Sequence, residues 1–156
     1  MLYRIIFLAV ILAALAAAGC SSGAAPPLLP ARPETPPLPP LNSGLVVQGQ
    51  ALYAQYCTEC HGATGEGQPE WKIPNDDGSF KPPPHDNSGH TWHHADDLLL
   101  ELIANGSDFP QTQMPPFGDA LSDEEILAII EFMKSWWGPD ERAFQWQVTW
   151  QARRAQ

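Results

Sequence analysis

Apolar positions along the chain fall into short helix-period blocks separated by long stretches rich in glycine and proline. In LVVQGQALYAQYC, Val46, Val47, Leu52, Tyr53 and Tyr56 have the spacing of one helical face, which predicts a helix from about Leu45 running into Cys57. Gly49 lies on that face one turn before Tyr53. A glycine inside a helix is costly, and close approach of a second helix would justify it. HADDLLLELIANG predicts a second helix with Leu98, Leu99, Leu102 and Ile103 inward, acidic residues at its start and Gly106 as a left-handed stop. LSDEEILAIIEFMKSWWGP is the most completely specified element. Ser122 and Glu125 form a capping box, Leu121 and Ile126 a hydrophobic staple, and Lys134 complements the negative end. Its apolar face carries Ile126, Ile129, Ile130, Phe132, Met133, Trp136 and Trp137, and Gly138-Pro139 ends it. A short further helix is expected in residues 140–156, with Trp146 and Trp150 one turn apart.

The pattern is all-α, with three to four helices and no convincing strand pairs. Between the helices, GATGEGQPEWKIPNDDGSFKPPPHDNSG and SDFPQTQMPPFGDAL are full of breakers. Loops of that length inside a small domain need something large to wrap around. The helical faces are thin for so much loop, which points to a buried cofactor.

The beginning of the chain is different. Arg4 is followed by the apolar run Ile5–Ala18, shorter than the ~20 residues of a membrane helix but adequate for a signal peptide over residues 1–19. Ala17-Ala18-Gly19-Cys20 resembles the lipobox of bacterial lipoproteins, with Ala17 where leucine is usual. The resemblance implies acylation of Cys20 and attachment to a membrane surface. Residues 20–44 then hold eight prolines and read as an extended tether. A domain over 45–138 and an extension over 139–156 complete the expected organisation. The formal net charge of −10 argues against nucleic acid as a partner and suits a partner with a basic docking patch.

Cysteines decide the chemistry. CTECHG places Cys57, Cys60 and His61 within five positions. A redox dithiol is disfavoured because no βαβ pattern surrounds it. A zinc site needs four ligands, and the third cysteine lies across the tether. His85, His90, His93 and His94 could complete such a site, but C-x-x-C-H is also the signature of covalent haem c attachment. In that reading Cys57 and Cys60 become thioethers and His61 ligates the iron. The chemistry takes place outside the cytoplasm, in agreement with the leader. One cysteine for lipid and two for haem leave none spare. Met114, alone before Pro115-Pro116 in a loop, is the candidate sixth ligand. Met133 is mid-helix and reads as core.

With Gly49, Tyr53, CTECHG, MPPF at 114–117 and the last apolar helix in place, the chain resembles a bacterial class I (monohaem) cytochrome c over about residues 45–138. The resemblance implies a low-spin haem with His61 and Met114 as ligands, and outer-sphere electron transfer. It also implies a crossing of the first and last helices, Gly49 and Tyr53 meeting Ile129 and Phe132. A proline carbonyl usually accepts the proximal imidazole proton, and Pro69 and Pro74 are both candidates.

HDNSGHTWHHADD holds four of the five histidines. The favoured reading is structural: His94 caps the following helix, His93 or Trp92 packs on haem or reaches a propionate, and His85 and His90 are solvated. A peripheral copper or zinc site drawing on Asp86 or Asp96, or a distal histidine ligand in place of Met114, are the alternatives. Trp71 and Trp92 read as haem-cover residues. The whole points to an extracytoplasmic, membrane-tethered one-electron carrier working between a donor and an acceptor protein. The alternatives are a haem subunit of an oxidase or dehydrogenase complex, a copper-handling lipoprotein, or a small haem peroxidase or gas-binding protein with a vacant sixth position.

Overall fold

The computed structural model describes residues 34–107, 109 and 111–156. The leader, Cys20 and most of the proline-rich stretch lie outside the described residues. Among the described residues there are five α-helices and no strand. These are α1 (Ser43–Tyr56), the one-turn α2 (Thr58–His61), α3 (Asp96–Asn105), α4 (Asp123–Lys134) and α5 (Pro139–Ala155). A 3₁₀ turn, Thr91–His93, precedes α3. None of these helices is long and apolar enough to cross a membrane.

Helix α1 begins two residues before the apolar run because Asn42 caps it, its side chain accepting from the Gly44 and Leu45 amides. Gly49 and Tyr53, one turn apart, are its buried positions. Val46, Leu52 and Tyr56 are half-buried, whereas Val47 is 68% exposed and lies off the face on which the sequence placed it. The α1 face crosses α4. A Cβ on Gly49 would run into the Ala128 carbonyl group and come within 2.9 Å of Phe132 Cβ. The costly glycine is thus a contact point, as the sequence suggested, with Ala128 rather than Ile129 as its nearest neighbour. Tyr53 adds edge-on contacts to Phe132 and Trp136, at 5.6 and 5.0 Å between ring centroids.

Helix α4 is the centre of the core. Ile126, Ala128, Ile129, Ile130, Phe132 and Met133 are all buried along it. The Ser122–Glu125 capping box is formed in both directions, and both staple residues, Leu121 and Ile126, are buried. Helix α3 packs on α4 through Leu99 and Ile103, which are one turn apart; Leu98, expected on the same inward face, is instead 42% exposed. Ala95, not His94, occupies the N-cap position of α3, and no side chain caps it.

Helix α5 is far longer than the short element expected from the sequence. Pro139 at its start, Asp140 and Glu141 in the first turn and Arg153 and Arg154 in the last are all favourable positions. Its packing is polar. Gln145 and Thr149, both buried, bond to Asp96: Gln145 Nε2 donates to the carboxylate at 2.7 Å, and the Asp96 amide donates to Thr149 Oγ1 at 3.1 Å. Lys134, at the end of α4, completes the group with Nζ 2.9 Å from Asp96. Three helices therefore meet at one buried carboxylate.

The residues before α1 dock on the same side. Trp146 Nε1 donates to the Pro36 carbonyl at 2.7 Å, Arg142 to that of Pro39 at 2.9 Å, and the Asn42 amide to Glu131 Oε1 at 2.8 Å. The compact unit accordingly starts at Thr35.

Candidate haem site

Helix α1 ends where the chemistry begins. The Cys57 amide still bonds to the Tyr53 carbonyl at 2.9 Å, and Cys57 then acts as the N-terminal flank of α2. The His61 amide closes this turn on the Cys57 carbonyl at 2.9 Å, so the C-x-x-C-H stretch is one rigid helical turn. Gly62, at φ 82°, ends it. Cys60 is exposed and Cys57 half-buried. Burial, with the neighbouring Cys60 thiol a lesser cause, pushes the Cys57 thiol up to about 12. That shift does not favour Cys57 as an attacking thiolate.

His61 is buried. Its Nδ1 donates to the Pro83 carbonyl at 2.9 Å. Neither Pro69 nor Pro74 fills that role; the Pro69 carbonyl instead accepts from Lys81. The reason lies in the run KPPPH. Proline lacks an N–H, so the run offers carbonyls only, and each of the three accepts from a different element. Pro82 takes the Gln68 amide, Pro83 the His61 ring and Pro84 the Thr91 hydroxyl, at 3.0, 2.9 and 3.4 Å. Gly67 and Gly89 let neighbouring backbone press against this run: a Cβ on Gly67 would lie 2.7 Å from the Pro83 carbonyl carbon, and one on Gly89 would meet Pro84. Burial lowers the His61 pKa, partly opposed by the Pro83 bond. Its ring is thus held neutral, with the Nε2 lone pair available to a metal.

Met114 lies in the loop between α3 and α4. It is half-buried and packs, together with Cys57, Trp92 and Phe117, on the same hydrophobic cluster. Its carbonyl accepts from the Ser107 amide at 3.3 Å. Gly106, at φ 75°, both ends α3 and admits this loop: a Cβ there would be 2.8 Å from the Met114 carbonyl oxygen.

The histidine loop separates into distinct environments. His85 is not solvated: it is half-buried, its ring stacks on His61 with centroids 3.9 Å apart, and its Nδ1 is 3.1 Å from the Tyr53 hydroxyl. His90 is exposed, as expected, and stacks on Trp71. His90 and His94 face one another at 5.4 Å between centroids, while His93 turns to Trp92 and Phe144. Among the described residues no group of three or more His, Cys, Asp or Glu side chains could hold a metal ion.

A family model described as cytochrome c oxidase, cbb3-type, subunit III matches residues 44–133. The chain belongs to this family of bacterial c-type cytochromes. Among solved structures the cytochrome is similar to cytochrome CL from the marine methylotroph Methylophaga aminisulfidivorans MPT, at 23% identity and a TM-score of 0.49. That likeness covers 66% of this chain and 61% of the other, so the cytochrome spans less than two thirds of that protein's length. No curated protein matches it. Membership implies haem c, haem-based electron transfer and an extracytoplasmic setting.

The residues present fit such a group. Two thiols stand one turn apart on a rigid helix, beside an imidazole whose Nδ1 is already engaged. Trp92 Nε1 is a buried donor with no partner among the described residues. Leaving such a donor unpaired costs about 1–3 kcal/mol, which a haem carboxylate would relieve. Pro83 and His85 escaped sequence reasoning. The one available signal was PPPH itself, three consecutive carbonyls without competing amides.

Proposed function

We propose that this cytochrome is a membrane-tethered, extracytoplasmic one-electron carrier. Cys57 and Cys60 would hold the haem as thioethers, and His61 and Met114 would ligate its iron. The haem supplies a one-electron couple and the chain supplies its setting. The observation that carries the reading is His61, buried at the end of the C-x-x-C-H turn with Nδ1 committed to Pro83. That bond orients the ring and leaves the other nitrogen for iron. Met114, in the loop admitted by Gly106, is the thioether that favours the reduced state and raises the potential. The apolar cluster beneath Cys57, Trp92 and Met114 excludes water. Cys60, exposed, lies where a partner has access, and the net charge of −10 favours a partner with a basic docking patch.

Cys20 is the proposed point of lipid attachment. Replacing Cys20 by serine should release the protein from membranes; retention after that change removes the lipid tether from the proposal. For the ligands, the oxidised protein should show a sulfur-to-iron charge-transfer band that Met114→Ala abolishes. Survival of the band, or ready carbon monoxide binding by the untreated protein, overturns the His/Met assignment.

A second reading is favoured by the matched family, whose description is that of an oxidase subunit. In it the same haem relays electrons inside a fixed complex. Co-purification of the unaltered protein with a stoichiometric oxidase under mild solubilisation would select it over the free carrier.

A further inference from the structure

His85 is built into the site from several directions. Its amide donates to the Gly65 carbonyl at 2.7 Å, and its carbonyl accepts from Trp137 Nε1 at 2.7 Å. Its ring is held by the Tyr53 hydroxyl, 3.1 Å from Nδ1. Tyr53 is itself only 1% exposed and wedged between Phe132 and Trp136. Neither the backbone nor the ring of His85 is free to turn.

This matters because of what the ring faces. The His85 and His61 planes are 23° apart, with centroids at 3.9 Å. The Pro83 bond fixes one end of the His61 ring. A metal at Nε2 would fix the other end. The ring's tie to Cβ leaves only a small tilt as the side-chain torsions adjust, and a flat ring lying against the face limits it. The stack also has an electrostatic side. When the iron is oxidised, positive charge spreads onto its imidazole ligand. A polarisable aromatic ring with a polar edge stabilises that charge better than an alkyl side chain would.

We propose that His85 is a positioning residue for the proximal ligand: it sets the rotational orientation of His61 and lowers the reduction potential, with Tyr53 holding it in place. This rests on His61 being the iron ligand.

The test uses the full-length, haem-loaded protein and the variants His85→Leu, His85→Phe and Tyr53→Phe. Two quantities are read: the reduction potential, and the pattern of haem methyl shifts in the proton NMR spectrum of the ferric form, which follows the plane of the axial imidazole. In His85→Leu the oxidised-to-reduced ratio at a fixed ambient potential should fall about threefold, a rise of roughly 28 mV at 59 mV per decade. Its methyl pattern should change, whereas His85→Phe, which keeps a flat ring, should retain the wild-type pattern. A wild-type methyl pattern in His85→Leu, or a ratio that does not fall, overturns the inference however much the melting temperature drops. If His85→Leu does not take up haem, Tyr53→Phe decides. It removes only the hydroxyl and should move both readouts in the same direction; if it moves neither, the inference is wrong. His61→Ala separates the two levels. A normal low-spin spectrum in that variant sinks the ligand assignment, whereas its loss alongside an unchanged His85→Leu sinks only the role of His85.

Discussion

Replacing Gly49 by alanine sets two effects of opposite sign against each other. Alanine is the better helix former, and in an isolated helix the change would stabilise by about 1 kcal/mol. In this fold the new methyl would run into the Ala128 carbonyl group and come within 2.9 Å of Phe132 Cβ. The first obstacle is backbone in the middle of α4 and cannot rotate aside. The helices must separate, and every contact at the crossing loosens, including Tyr53 against Phe132. Overpacking of this kind typically costs about 1–3 kcal/mol, occasionally more. Because the obstacle is rigid, the upper part of that range applies, which leaves a net loss of about 2 kcal/mol after the gain in helix propensity. At about 4 °C per kcal/mol for a domain of this size, the melting temperature should fall by roughly 8 °C. Thermal unfolding of the oxidised holoprotein by circular dichroism measures it. Ala54→Gly, at an exposed position on the same helix, supplies the propensity term alone. Trimming Phe132 to alanine in the Gly49→Ala background should restore little, since the Ala128 carbonyl stays in place. A melting temperature equal to or above wild type in Gly49→Ala would refute the close-contact account of the crossing.

The buried carboxylate joining α3, α4 and α5 gives a second expectation. Asp96→Ala leaves Lys134, whose side chain is 16% exposed, with Glu131 alone at 3.4 Å and takes away the acceptor of Gln145, and should cost about 1–3 kcal/mol in urea unfolding. Asp96→Leu combined with Lys134→Met should recover much of that loss, because the desolvation of both charges disappears together. A third concerns acid. Burial, followed by the influence of His90 and His93, lowers the His94 pKa below its ordinary value. The unfolded chain therefore binds its proton first. The contribution is fully present above about pH 6.5 and is lost as the pH falls below that value toward the folded pKa. Denaturant midpoints measured from pH 7.5 to 5 should decline, and His94→Gln should flatten part of the decline; an identical slope in that variant would remove His94 as the cause.

What the sequence made legible was what is locally encoded. Ser122 and Glu125 are three residues apart and cap the same turn, so the start of α4 could be placed to within a residue, whereas its end lies at Lys134 and Gly138, expected to stop it, instead caps α5. Gly49 announced a close crossing because a glycine on an apolar helical face has few other uses. The C-x-x-C-H turn was read from spacing alone. What stayed hidden depends on the path of loops through space. The carbonyl that meets His61 is 22 residues away in a run of prolines; the run marks a set of free carbonyls, but not which of them the ring would reach. His85 looked like one of four polar loop residues until the backbone brought it against His61. Helix α5 was underestimated because it is polar. Gln145 buries itself on the Asp96 carboxylate, 49 residues away, and Thr149 on the Asp96 amide, 53 away, and no hydrophobic period records that.

The docking of Pro36, Pro39 and Asn42 on α4 and α5 has a mechanical meaning. If the leader is held at a surface, a pull along it does not reach α1 first. The load would first meet the bonds to Trp146, Arg142 and Glu131. The turn bearing Cys57, Cys60 and His61 lies on the far side of these three contacts along the chain, so such a load would have to break them before it reached that turn.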